Sequence, residues 1–456
     1  MRDNNIIMAE KIKIAWICHL INPQIRSHIP DNYLPKWRRF LVDFIEKHVN
    51  YKKGVFSRIH NLLGSFGMSD MAVWNTNAAK YIAEYDDVEV HIIAPLMAIP
   101  SKGIEYEEDG IHYHFVHSQD DNPCFRLAGY VKVRLLNKVS SYNFNNRKIR
   151  SIVKTINPDI VHLIGAECPD FAQSVITIDR KYPVIVQLQA LLRFSYKETG
   201  NPYYKRLAES EEKVLMRADY IATPIHQFKD IIDADLRPST IFIKTGLALT
   251  EDVNKDAEEK QFDFVYFANN LNKAFDLAIE GFCIAQKKYP YLRLDILGGS
   301  SDEEMAQYVA KVHELNLDNN IVFEGKLPTH EDVLKQIRKS RFALLPLKTD
   351  YISGTIREAM ANGLPVVSTI TEGTPTLNSQ KQCVLLSPIG DHKALAANMI
   401  KLLEDKDLAA LLVDNSYKAA AERVDNKDII KKWHDAYFLI LGHFRKGKEI
   451  PQDYLL

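Results

Sequence analysis

FDFVYFANNLNKAFDLAIEGFCIAQKKYPYLRLDILGG, residues 262–299, is the stretch whose reading decides the fold. FDFVYFA is a run of aromatic and β-branched residues with almost no polar alternation, as expected of a strand covered on both faces. NKAFDLAIEGFCIAQKKYP is helical in pattern, with Phe275, Leu277, Ala278, Phe282 and Ala285 as its apolar positions. LRLDILGG is again a strand. Two like strands joined through a helix make a parallel pair with a crossover.

The same alternation extends outward. NIVFEGKL, RFALLPL and PVVST read as strands; SDEEMAQYVAKVHELNL (with Ser301 or Asp302 as cap), THEDVLKQIRKS and DHKALAANMIKLLED read as helices. Toward the N-terminus, KIAWICHLI, VEVHIIAP, GIHYHFVHS, IVHLIGA and YPVIVQLQA read as strands. SDMAVWNTNAAKYIAEY reads as a helix capped by Ser69 or Asp70, and NRKIRSIVKTI as another. The reading is α/β, two doubly wound Rossmann-like domains. The charged link IKTGLALTEDVNKDAEEKQ divides them, giving 1–245, 246–425 and a C-terminal helix, 426–456, expected to pack on the first domain. Open α/β sheets bind ligands at the carboxyl ends of their strands, so the expected site is an interdomain cleft.

Composition narrows the function classes. A net charge of −1 gives nothing global to attract nucleic acid. Five scattered cysteines, none in a CxxC pair, argue against a disulfide framework or a zinc site and fit a reducing compartment. The first residues lack the apolar core of a signal peptide, and no apolar run is long enough to span a membrane. A cytoplasmic protein is expected. The Asp pairs at 86–87 and 120–121 are expected to be solvated turns, so no metal is expected.

DYISGTIREAMANGLPVVST, residues 350–369, carries the chemistry. Thr355 and Glu358 have the spacing of a capping box, Gly363 suits the residue after a helix, and Pro365 prevents continuation. Ser353, Gly354 and Thr355 would present amides at a positive helix end, a phosphate site in form. Asp350 and Glu358 are acids able to accept hydrogen bonds from vicinal hydroxyls.

An acid, seven residues, then Glu358 within EAMANGLPV resembles the E-x7-E segment of retaining GT-B glycosyltransferases of the glycosyltransferase family 4 type, with Asp350 in place of the first Glu. FVYFANNLNKAFDLAI resembles the family's strand–loop–helix that carries an Arg and a Lys for the donor diphosphate. Lys273 matches the Lys; the Arg position falls on Asn269; Ala274 stands where a Gly is usual. INPDIVHLIGAE and EEKVLMRADYIATP resemble segments of the family's first domain. The resemblance implies a GT-B fold in which Glu358 holds the donor ribose and Asp350 faces the sugar. The amides of Ser353, Gly354 and Thr355 meet the diphosphate, with Asn269 and Gly298 nearby and Lys326 and Leu327 flanking the base. Gln189 stands where many members have a His and would touch the donor sugar. Asp350, Lys273 and Glu167 are the residues expected to serve catalysis, whereas His162 is expected to be buried in its strand.

The implied reaction is retaining transfer from a nucleotide sugar, UDP-linked first and GDP-linked next, to a glycan or lipid-linked acceptor. It needs no metal or other cofactor, because amides, a helix end and Lys273 would stabilise the leaving diphosphate, and it needs no dedicated base, because the leaving phosphate can take the acceptor's proton. Lys348 is a candidate to replace the missing Arg. A catalytically inactive scaffolding subunit of the same fold is the second reading, and an epimerase the third. Residues 35–54, PKWRRFLVDFIEKHVNYKKG, form a basic amphipathic pattern. It reads either as a core-facing helix or as a peripheral contact with the inner face of a membrane.

Overall fold

A computed structural model describes residues 11–29, 35–49, 59, 63, 70–97, 99–135, 138–139, 141–200, 202–249, 252–271, 274–300, 302–348, 354–371, 373–422 and 425–456. The chain forms two compact units, Met1–Ala248 together with Asn426–Leu456, and Leu249–Asp425.

The first unit is built on eight strands: β1 (Ile12–Ile17), β2 (Val88–Leu96), β3 (Ile104–Glu108), β4 (Ile111–His117), β5 (Ile160–Ile164), β6 (Val184–Gln187), β7 (Tyr220–Ala222) and β8 (Ile241–Ile243). They lie in the order β3-β4-β2-β1-β5-β6-β7-β8. All pairs are parallel except β3–β4. The order reverses between β1 and β5, the switch point of a doubly wound sheet. The chain end covers the β8 edge, where Leu456 N–H donates to the Phe242 carbonyl and Lys244 N–H to that of Tyr454.

The second unit has six strands, all parallel: β9 (Phe262–Asn270), β10 (Leu294–Gly299), β11 (Ile321–Gly325), β12 (Ser340–Leu344), β13 (Val366–Thr369) and β14 (Val384–Ser387). Their order is β11-β10-β9-β12-β13-β14, with the switch point between β9 and β12. Alternate residues of β9 serve opposite layers. Phe264 and Tyr266 join one buried cluster with Phe275, Ala278, Phe282 and Ala285, while Val265 and Phe267 join another with Ile356, Ala359 and Met360. This double coverage is why the strand sequence shows no polar alternation.

The final helix, Asn426–Lys446, is tied into the first sheet through one hydroxyl. Trp16 Nε1 donates to Tyr437 Oη at 2.9 Å. The Tyr437 proton then goes to His162 Nδ1 at 2.8 Å. Burial pushes the His162 pKa down to about 3, so the ring is a neutral core residue, in accord with its expected place inside the strand.

Four expectations are corrected. The helix expected to be capped by Ser69 or Asp70 is Val73–Ile82, begun by Ala72 in the left-handed region at φ 56°. Ser69 lies outside the described residues, and Asp70 pairs with Arg26. Asp121 is no solvated turn: it is 4% exposed and buried against Arg38, whose Nη1 donates to its carbonyl at 2.7 Å. Burial of the Arg38 charge requires such a partner. For the same reason the Lys36–His48 helix is not turned as a core-facing helix of its pattern should be. Arg38, Val42 and Ile45 point inward, while Trp37 and Phe40 are 56% and 68% exposed. The fourth correction, to the Thr355–Glu358 capping box, belongs to the site below.

The shared hydroxyl gives a test. Tyr437→Phe keeps the ring and leaves Trp16 Nε1–H and His162 Nδ1 without their partner. Two buried polar groups left unsatisfied cost about 2–4 kcal/mol. Urea unfolding should show that loss in the transition of the first unit. An unchanged midpoint would show that the hydroxyl does not bridge the two rings.

Candidate active site

In the second unit the polar residues gather where the parallel strands end. β9 ends at Asn270, which pairs with Gly299 at the end of β10. Gly298 has φ +125°, and a Cβ there would fall 1.9 Å from the Ala268 carbonyl oxygen. A glycine is therefore required for the two strand ends to lie this close. The Lys326 side chain passes along Gly299, where a Cβ would lie 3.0 Å from Lys326 Cε. Lys326 is exposed, whereas Leu327 is partly buried and packs on the core beneath.

After β12 the chain reaches the Gly354–Ala361 helix. Its end is closed by a pair of hydrogen bonds, Gly363 N–H to the Met360 carbonyl at 3.2 Å and Leu364 N–H to that of Ala359 at 3.0 Å. Gly363, at φ +72°, is the left-handed residue that this closure requires. The start differs from expectation. Thr355 is already inside the helix, so it and Glu358 do not form a capping box, which needs its first member ahead of the helix. The Glu358 side chain is 18% exposed and lies 3.9 Å from His330 Nε2. A Cβ on Gly354 would meet no described atom within 4 Å, leaving its backbone approachable.

Asp350, Ser353 and Lys273 lie outside the described residues, as does the side chain of Asn269, whose backbone is in β9. Lys348, the candidate replacement for the missing Arg, is held by Asp276 at 2.8 Å. The structure thus brings Gly298 and Lys326 to adjoining strand ends and pairs Glu358 with His330. His330 was missed because THEDV announces only a cap: Thr329 and Asp332 form a full capping box there.

The first unit has its own cluster at the β1–β5 switch point. His19 follows β1, and Glu167 and Asp170 follow β5. His19 Nε2 and Asp170 Oδ2 are 2.8 Å apart across the reversal. Asn75 Nδ2 fixes the same loop by donating to the His19 carbonyl at 2.8 Å. Burial disfavours a charged His19, but the carboxylates of Asp170 and Glu167 outweigh it and raise its pKa. Gln189, just beyond β6, bridges two side chains when its amide is turned to satisfy both ends. Nε2 donates to Glu167 Oε1 at 3.0 Å, and Oε1 accepts from Trp74 Nε1 at 3.1 Å. Glu167 Oε2 is shut off from solvent with no hydrogen-bond partner. Burial pushes the Glu167 pKa up to about 7. Cluster and switch point coincide, so these groups are candidates for proton exchange or for binding hydroxyls. His19 escaped the sequence reading because CHLINP offers no motif; only the strand order sets it against Asp170.

Comparison with known proteins follows this geometry. Residues 261–405 match the family described as glycosyl transferases group 1. An uncharacterized glycosyltransferase of Haemophilus influenzae is 23% identical over 342 residues, covering 72% of this chain and 91% of that protein. Mannosylfructose-phosphate synthase of Agrobacterium fabrum is 29% identical over 136 residues, 28% of this chain and 30% of that protein. The solved structure of sucrose-phosphate synthase from Thermosynechococcus elongatus aligns with a TM-score of 0.64 at 16% identity, covering 95% of this chain and all of that one. The chain has the two-domain GT-B fold and is a nucleotide-sugar-dependent glycosyltransferase.

The Glu167 pKa yields a pH prediction. Glu167 binds its proton more tightly folded than unfolded, so the associated stability is full below its ordinary 4.5 and is lost as pH rises through about 7. His19, also raised, adds a loss of the same sign at higher pH. Glu167→Gln should make the decline of Tm across the Glu167 window shallower than in the wild type. Parallel Tm–pH curves would show that this carboxyl does not titrate in a buried setting.

Proposed function

We propose that the chain transfers a sugar, with retention of anomeric configuration, from a nucleoside diphosphate sugar to a glycan or lipid-linked acceptor in glycoconjugate or polysaccharide synthesis. A UDP-sugar is the first donor proposed and a GDP-sugar the second. The observation that carries the reading is the position of Glu358. It is a partly buried carboxylate beside His330, on the helix that follows the switch-point strand, within the span matched to glycosyl transferases group 1.

In this reading Glu358 accepts two hydrogen bonds from the donor ribose, with His330 beside it limiting the carboxylate's rotation. Gly298 and Asn269 supply backbone at the neighbouring strand ends, and Lys326 and Leu327 flank the base. As the anomeric C–O bond breaks, charge develops on the departing diphosphate. The amides of Ser353, Gly354 and Thr355 at the helix start and the Lys273 ammonium face that charge. Asp350 orients the sugar hydroxyls. The acceptor oxygen attacks from the side the diphosphate leaves, and a phosphate oxygen takes its proton. Glu167, which carries its own proton below about pH 7, and Gln189 are the first unit's groups for binding sugar hydroxyls.

Glu358→Ala and Lys273→Ala, assayed for transfer against a panel of nucleotide sugars, test the assignment. A charge-assisted hydrogen bond contributes about 1.5–3 kcal/mol, so each change should lower kcat/KM by about 10–100-fold or more. A wild-type chain that is thermally stabilised by UDP or GDP yet turns over no donor would overturn it in favour of an inactive binding subunit.

The Lys36–His48 helix extends the proposal to a peripheral contact with an anionic membrane. Trp37, Phe40, Leu41 and Phe44 form an exposed apolar stripe, with Lys36 and Lys47 exposed beside it. No described helix is long and apolar enough to cross a membrane. The wild type should sediment with anionic vesicles in low salt and be released by high salt, and Phe40→Asp should abolish the binding. Equal retention on neutral vesicles, or none on either, would remove this contact from the proposal.

A further inference from the structure

Three histidines and three glutamates share one face of the β2–β4–β3 edge of the first sheet, away from the His19–Asp170 cluster. Register puts them there. His91 lies opposite His112 on β4, which lies opposite Glu107 on β3, and His114 lies opposite Glu105. Residues two apart on a strand point to the same face, which adds Glu89 beside His91. The rings lie nearly parallel, His91–His112 at 4.6 Å and His91–His114 at 5.3 Å between centroids.

Counting protons shows that this cluster lacks a positive charge. The contacts run Glu89 Oε1 to His91 Nε2 at 2.8 Å, His91 Nδ1 to His114 Nε2 at 3.1 Å, and His114 Nδ1 to Glu105 Oε1 at 3.3 Å. Each of the three contacts needs one N–H. Two neutral imidazoles supply two, since each carries a single proton. Whichever tautomers are chosen, one nitrogen lone pair faces an acceptor. A third proton would cure this only by charging a ring.

We propose that Glu89, His91 and His112 bind a divalent transition-metal ion of the zinc type, with His114 and Glu105 as the outer support. One ligand atom from each of the three lies within 4.8 Å of the others. The ion replaces the proton between Glu89 Oε1 and His91 Nε2. His91 Nδ1–H then donates to His114 Nε2, and His114 Nδ1–H donates to Glu105. Every contact in the chain is satisfied, and the result is the usual carboxylate–imidazole support of a metal-bound histidine. Lys13 Nζ, 3.3 Å from Glu89 Oε1, keeps a carboxylate partner because Glu89 has two oxygens. Two imidazoles and a carboxylate suit zinc, which leaves a further position for water. Such an ion would fasten the antiparallel edge strand β3, through its partner β4, to the parallel body of the sheet. Its role is stability, independent of the transfer reaction.

The test is titration of tag-free full-length chain with ZnCl2 near neutral pH by calorimetry, with Tm measured alongside. One equivalent should bind, and Tm should rise with Zn2+ but not with Mg2+. His112→Ala, a change on the partly exposed edge that leaves the three-contact chain intact, should abolish this binding. His114→Ala should weaken it by about 10–100-fold. Circular dichroism confirms that the variants fold, and transfer activity should be unchanged in both. No saturable binding at micromolar Zn2+, or binding of equal strength in folded His112→Ala, would overturn the site.

Discussion

A parallel sheet is left at the same edge by every one of its strands, so the loops that can carry polar groups collect there. Where the strand order reverses, successive connections turn to opposite faces and two neighbouring loops part, leaving room beside the strand ends. Both sheets of this chain obey that constraint, and each has its chemistry at the reversal. In one, His19 leaves β1 and meets Asp170, which follows β5. In the other, the switch-point strands β9 and β12 lead to the Asn269 segment and to the helix bearing Glu358. Nothing in a list of these residues would group them; strand order does.

The apolar ladder below the loops also tunes them. β5 and β6 are fully buried along their lengths, and Glu167 Oε2, just beyond β5, is shut off from solvent as well. Burial is why Glu167 holds its proton up to about pH 7, while His19, just beyond another strand end, has its pKa raised by its carboxylate neighbours. Deeper in the same sheet no carboxylate is at hand. His162 accepts a hydrogen bond from Tyr437 and stays neutral. The same residue type has its pKa raised or lowered according to which surroundings the fold supplies, and the partner for His162 comes from a helix 275 residues away in sequence.

Much of this was legible in the sequence because strand and crossover patterns are local. The apolar run of β9 and the helical positions from Phe275 to Ala285 become strand and buried helix as read. Gly363 and Pro365 end a helix as glycine and proline should. What could not be read were partnerships fixed by topology. Arg38 looked like part of a solvated basic face until Asp121 proved to be its buried partner, which turns the helix and leaves Trp37 and Phe40 outside. Thr355 and Glu358 fit a capping box by spacing, yet the helix starts ahead of Thr355, and spacing alone cannot fix a helix start. VEVHIIAP and GIHYHFVHS read as strands, but only their register sets His91 against His112.

Under the proposed function, Asn269, standing where the resembled glycosyltransferases carry an arginine, changes how a diphosphate would be held. Lys348 would not restore the missing charge, since Asp276 lies 2.8 Å from its ammonium and largely cancels its field at a distance. The proposal then leaves the diphosphate to Lys273 and to the neutral dipoles of a helix start. Oriented amides need not be stripped of a hydration shell as an ammonium must, and they do not reorganise as charge develops on a leaving group. Their reach is short, however, falling off within the first turn of the helix. A site that relies on them gains little long-range attraction for its anionic donor and must fix it by close contact. The glycine-lined approach at Gly298, where any side chain would strike the Ala268 carbonyl, and the partly buried Glu358 are features of that kind. Under that proposal they would hold the donor by fit at the strand ends.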